Sequence, residues 1–97
     1  MGGVEDLAAL RAEMDRLDEE LVSLLSQRVD IARRIGELKA SQGVEVWDAG
    51  RVDEMMTLRR AWAADVGLDE GFVLELFERI VDFCARIQKN RSEDSLK

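Results

Sequence analysis

The stretch LAALRAEMDRLDEELVSLLSQRVDIARRIGEL, residues 7–38, decides the fold. Its apolar residues fall at Leu7, Leu10, Met14, Leu17, Leu21, Leu24, Ile31, Ile35 and Leu38, with Arg28 in the one seam place not filled by an apolar side chain. Steps of three and four alternate without a break, which is the period of a coiled-coil seam. The spacing predicts one long helix over about 5–41, with Ser41, Gln42 and Gly43 as its stop. Roughly 37 residues at 1.5 Å rise span roughly 55 Å, whereas a compact globule of this chain length is only about 32 Å across. Such a helix overhangs its own chain, and a second copy related by a two-fold axis is the simplest cover for the overhanging seam. The expectation is an intertwined all-helical homodimer.

Outward from that helix, glycines punctuate the chain at Gly43, Gly50, Gly67 and Gly71, and the residues between them are mostly good helix formers. A second helix is predicted to open at Asp48, whose carboxylate suits an N-cap, and to end near Gly67, carrying Val52, Met55, Met56 and Trp62 toward a core. A third is predicted after Asp69, running to about Arg91, with Phe72, Val73, Leu76, Phe77, Ile80, Val81, Cys84 and Ile87 on an apolar stripe. The expected architecture is all-α, three helices in the order long, short, long. They form a single domain over 1–97, ordered over about 6–91, with a polar tail at 92–97.

Composition narrows the function. With 97 residues, the chain buries only roughly two-thirds of the surface its unfolded form exposes, so a partner copy helps it. A net charge of -7 argues against a nucleic-acid partner, which needs a basic face to displace counterions from phosphate. No histidine is present, so Ser-His and Cys-His nucleophile pairs and His-ligated metals are excluded. The one cysteine, Cys84, makes no internal disulfide and suits a reducing cytoplasm. No apolar run approaches a membrane span, and the acidic start lacks the order of a signal peptide. There is no Gly-rich phosphate loop and no metal-spaced cluster, so neither metal nor cofactor is expected.

Polar residues at apolar places carry the chemistry. Arg28 has two structural readings: its stem can lie along apolar surface with its head in water, or it can set register in the seam. The functional reading is a cavity in the seam where a guanidinium awaits an anion, since an unpaired buried charge is strongly destabilising. Lys39 lies eleven residues on, within about 20° of the same helix face, so the two cations can bracket a small dianion. Near a helix C-terminus, Lys39 equally suits the helix dipole. Arg11 stands seventeen residues before Arg28 and about 100° round the helix, out of reach of that pocket in its own chain but within reach of a partner's. That reach needs an antiparallel dimer, and spacing alone favours an ion pair with Asp15 at i+4. On the third helix Gln88 continues the apolar stripe one turn after Cys84. A buried amide needs partners, so Gln88 is either reserved for a ligand oxygen or placed at a fraying edge. Asp48 and Arg51 share the first turn of the second helix, the usual arrangement of a cap and a local ion pair.

Together these residues resemble the all-helical chorismate mutase family, small three-helix intertwined dimers. The resemblance runs over about 6–88 and is carried by LAALRAEMDRLDEELVSLLSQR (7–28), IGELK (35–39), WDAGR (47–51), GLDEGFVLELFERIV (67–81) and Gln88. It implies a pericyclic [3,3] rearrangement of chorismate to prephenate, as in aromatic amino acid biosynthesis, which needs no nucleophile, metal or proton transfer. It also implies that Arg11 of the partner copy, Arg28 and Arg51 hold the two carboxylates of a small dianionic substrate in its reactive conformer. Lys39 and Gln88 would donate hydrogen bonds to the ether oxygen as negative charge develops there, and the Asp48 region would meet the ring hydroxyl. Arg28, Lys39 and Gln88 are the implied catalytic residues.

Two positions depart from the family pattern. Val52 stands where the family usually has a glutamate that pairs with the ring hydroxyl, and Cys84 stands where a serine near the ring carboxylate is frequent. Arg51 and Val52 after Gly50 look similar to 4-amino-4-deoxychorismate mutases of secondary metabolism and to isochorismate-pyruvate lyases, which are the alternative activities. The lyase is disfavoured because residues 39–51 keep the mutase length and Asp48. A dimeric helical interaction module without chemistry is the remaining alternative.

Overall fold

Three α-helices account for the secondary structure of the described residues: α1 at Leu7–Gln42, α2 at Ala49–Asp65 and α3 at Glu70–Leu96. The computed structural model describes the backbone of residues 6–96 and the side chains of 6–91. The chain divides between Ile31 and Ala32 into two compact units. The all-α, long-short-long architecture matches the spacing argument.

Each helix begins and ends for a local reason. Asp6 Oδ1 accepts from Ala8 N at 3.1 Å, Asp48 Oδ1 from Arg51 N at 3.1 Å and Asp69 Oδ1 from Phe72 N at 2.8 Å. All three helices thus open on an aspartate that satisfies a first-turn amide. The α1 terminus turns at Gly43, whose φ of 67° lies in the left-handed region. There Val44 N bonds Lys39 O at 2.9 Å and Gly43 N bonds Ala40 O at 3.3 Å. The same pair of bonds closes α2 at Gly67, from Leu68 N to Ala63 O and from Gly67 N to Ala64 O. Both are Schellman closures, which need a residue that tolerates positive φ. Helix α3 runs to Leu96, past the expected end near Arg91, because residues 92–96 contain neither glycine nor proline to stop it.

Among the described residues the buried apolar ones all lie after residue 31. They are Ala32 of α1, Met55 and Ala63 of α2, and Val73, Val81 and Cys84 of α3. The inward face of α2 is centred on Met55, Arg59 and Ala63, with Val52 and Met56 half-buried at its margins. Trp62 is expected in the core, but at about 100° per residue it falls about 60° from the centre of that face, and it is 51% exposed. Its ring instead receives the Arg59 guanidinium at 4.7 Å, and the same guanidinium stands 5.2 Å from the Phe77 ring. On α3, Phe72 and Leu76 likewise lie off the buried stripe and are exposed. In the N-terminal unit, Leu7, Leu10, Met14, Leu17, Leu21, Leu24 and Ile31 are all exposed. Among the described residues no helix is long and apolar enough to cross a membrane.

Candidate active site

The C-terminal unit brings two of the expected catalytic residues together. Lys39 stands in the last turn of α1, and Gln88 stands on α3 in the half-buried continuation of the apolar stripe. Although 49 residues apart, Lys39 Nζ donates to Gln88 Oε1 at 3.3 Å. The ammonium also donates to Val46 O at 2.6 Å, in the segment between α1 and α2. An ammonium has three donors and no acceptor, so it turns the oxygen of Gln88 toward itself and leaves the amide NH₂ as the outward end. The two side chains thereby form a cluster of donors with no competing carboxylate among their hydrogen-bond partners. Among the described residues the ammonium thus has two acceptors for its three protons.

The contact depends on a close approach of helices that the residue roles did not anticipate. A Cβ built on Gly36 would lie 2.6 Å from Gln88 O and 2.8 Å from Gln88 Cα. The absence of a side chain at 36 therefore lets the Gln88 backbone lie directly against α1. One residue along α1 and one turn along α3, Glu37 and Arg91 form an ion pair on the same junction. Sequence reasoning missed Gly36, Val46 and the Glu37 to Arg91 pair. The signal that could have found the first is an isolated glycine inside a strongly helical pattern, which commonly marks a packing constraint.

The other candidates take these places. Asp48 is the exposed N-cap of α2, and its Oδ1 is held by the Arg51 amide. Arg51 is exposed, with Nη1 3.9 Å from Glu54 Oε2, a loose i,i+3 pair. Val52 is half-buried, and no oxygen acceptor exists in its side chain. Cys84 is 3% exposed and in no disulfide, one turn before Gln88. Arg28 and Arg11 belong to the N-terminal unit, Arg28 half-buried and Arg11 exposed. Among the described residues, the ion pair proposed between Arg11 and Asp15 does not form, and the neighbouring pair is Arg16 with Glu20 at 2.8 Å.

The sequence pattern of the family described as chorismate mutase type II matches residues 10–89. The chain belongs to that family. It is an all-α member and an isomerase of the chorismate mutase type, and a chorismate-type substrate follows from the assignment. The matched residues run across the division between the two units and include all eight candidate positions. Over 83 residues the chain is 36% identical to a 4-amino-4-deoxychorismate mutase of Streptomyces venezuelae, covering 86% of this chain and 81% of the relative. It is 32% identical over 84 residues to a protein of the same name from Streptomyces pristinaespiralis, covering 87% of this chain but only 65% of the relative. It is also 36% identical over 75 residues to an isochorismate pyruvate lyase of Pseudomonas aeruginosa, covering 77% of this chain and 73% of the relative.

Proposed function

We propose that the chain converts chorismate to prephenate by a [3,3] rearrangement, within one catalytic domain, in the cytoplasm and as a homodimer. The observation that carries the reading is the Lys39 to Gln88 pair at 3.3 Å. In the rearrangement the ether carbon–oxygen bond breaks as a carbon–carbon bond forms, and negative charge gathers on the departing oxygen. The remaining ammonium proton and the outward amide NH₂ are donors suited to that oxygen. They are fixed beforehand by contacts to one another and to Val46, so little reorganisation is required when the charge appears. Arg28, Arg51 and a partner copy's Arg11 hold the two carboxylates and bring the reacting carbons together, which is catalysis by orientation. Asp48 lies beside the ring substituent, and Cys84, one turn before Gln88 on α3, lies near the ring carboxylate.

A second substrate, 4-amino-4-deoxychorismate, is favoured by a specific residue. Val52 offers nothing to accept a hydrogen bond from a ring hydroxyl, and relatives at 36% and 32% identity are mutases of the amino compound. The lyase reaction on isochorismate stands third. One experiment separates them: incubation with chorismate, 4-amino-4-deoxychorismate and isochorismate in turn, with products identified by mass. Prephenate formation supports the first reading, and absence of product from all three would leave only a helical interaction module. In the same assay, Val52→Glu is expected to raise kcat/KM for chorismate relative to the amino substrate by about tenfold, the effect of one hydrogen bond to a charged group. No shift in that ratio would remove position 52 from specificity.

The dimer is supported by the uncovered seam. Among the described residues of the N-terminal unit nine large apolar side chains are exposed in the single chain, seven of them on the seam, an arrangement that soluble monomers rarely keep. A second copy lets the two seams cover one another and brings Arg11 to the other chain's site. Sedimentation at micromolar concentration is expected to show a dimer, and a folded monomer would contradict both the assembly and the role of Arg11. A buried Cys84 in no disulfide suits the reducing cytoplasm.

A further inference from the structure

We propose that Gly36 is a positioning residue for catalysis, setting the separation at which Gln88 meets Lys39; the inference rests on the mutase reading above. Its basis is geometric. The Gln88 backbone lies so close to α1 that a Cβ at position 36 would come within 2.6 Å of Gln88 O, 2.8 Å of its Cα and 3.1 Å of its carbonyl carbon. All three atoms are backbone, so no rotamer change relieves the collision. Ordinary van der Waals contact begins near 3.4 Å, so a methyl group at 36 forces α3 away by about 0.8 Å at this level. The Lys39 to Gln88 bond is already 3.3 Å long. An opening of that size takes it beyond hydrogen-bond range, while Lys39 stays anchored to Val46 O on its other side. Gln88 therefore retreats from Lys39 with its amide unfixed.

Other contacts at this junction do not set the distance. Glu37 and Arg91 bridge the same two helices, but each side chain is 45% exposed, and a pair so open to water holds a separation only weakly. Glycine also lowers the intrinsic stability of a helix interior. Its presence in the middle of α1 is thus a local cost that the close approach explains.

The consequence for the reaction is specific. Substrate carboxylates are held by Arg28, Arg51 and Arg11, none of which touches position 36, whereas the ether oxygen depends on Gln88. Gly36→Ala is therefore expected to lower kcat by about 10²-fold, the scale of a displacement near 1 Å at a reacting centre, with KM changed by less than about threefold. In the Gln88→Ala background the same substitution is expected to cost less than about threefold further, because the group it displaces is already gone.

The experiment measures kcat and KM for the parent, Gly36→Ala, Gln88→Ala and the double variant, with far-UV circular dichroism on each in buffer and in sucrose. Non-additive loss of kcat in folded proteins supports the proposal. Equal losses in both backgrounds, full activity in Gly36→Ala, or its failure to fold even in sucrose would make Gly36 a packing residue only. No turnover of chorismate or either analogue by the parent chain would instead overturn the mutase reading itself.

Discussion

Replacing Lys39 by alanine is expected to lower kcat by about 10²- to 10³-fold while changing KM by less than about tenfold. The asymmetry follows from where the ammonium acts. A group that grips substrate and transition state equally shifts KM, whereas a donor to an oxygen that becomes negative only as the bond breaks shifts kcat. The structure adds a second effect. Lys39 Nζ bonds Val46 O at 2.6 Å in a half-buried position, so its loss frees the segment that leads into Asp48 and Arg51. A charge-assisted bond to a partly exposed carbonyl contributes about 1 kcal/mol, which for a domain of this size is a Tm fall of about 4–8 °C. Initial rates over a range of substrate, with a thermal melt on the same preparation, separate the two. A change confined to KM would contradict the role at the ether oxygen.

The structural effect of Lys39 was not visible in the sequence, and the reason is general. Periodicity names the residues that share a helix face, and on that ground the three helices, the Asp48 cap, the stops at Gly43 and Gly67 and the burial of Met55, Val73, Val81 and Cys84 were all legible. Periodicity is silent about a backbone carbonyl. Val46 carries no donor or acceptor in its side chain, so nothing at position 46 announces a partner for an ammonium. Gly36 is hidden for a related reason: a residue without a side chain leaves no mark on an apolar stripe. Trp62 shows the opposite error. Its size suggests a core, yet its place about 60° round α2 from Arg59 decides its exposure before its hydrophobicity has any effect. Arg28 marks the limit of the approach, because a cation in an apolar seam reads equally as a register device or as a waiting anion site until something distinguishes them.

Arg28→Leu makes that distinction, and the two roles predict opposite results. If the guanidinium serves only the helix, leucine restores the apolar row of Leu24, Ile31 and Ile35, raises or maintains Tm, and leaves the rate alone. On the proposed assignment Arg28 is a half-buried fork that meets a substrate carboxylate with two parallel donors, a geometry no other residue type reproduces. Removing one partner of such a desolvated pair costs about 2–5 kcal/mol, or a fall of about 30- to 5,000-fold in kcat/KM. The expected result is loss of turnover near the parent's KM together with an unchanged or higher Tm, measured by initial rates and calorimetry on one preparation. Full activity in Arg28→Leu would sink the catalytic assignment. Joint loss of activity and stability would contradict both roles, since each expects Tm to hold or rise. On the proposed assignment the seam tolerates Arg28 for the sake of a substrate whose two negative charges need cations in a chain that is otherwise acidic, at -7 overall.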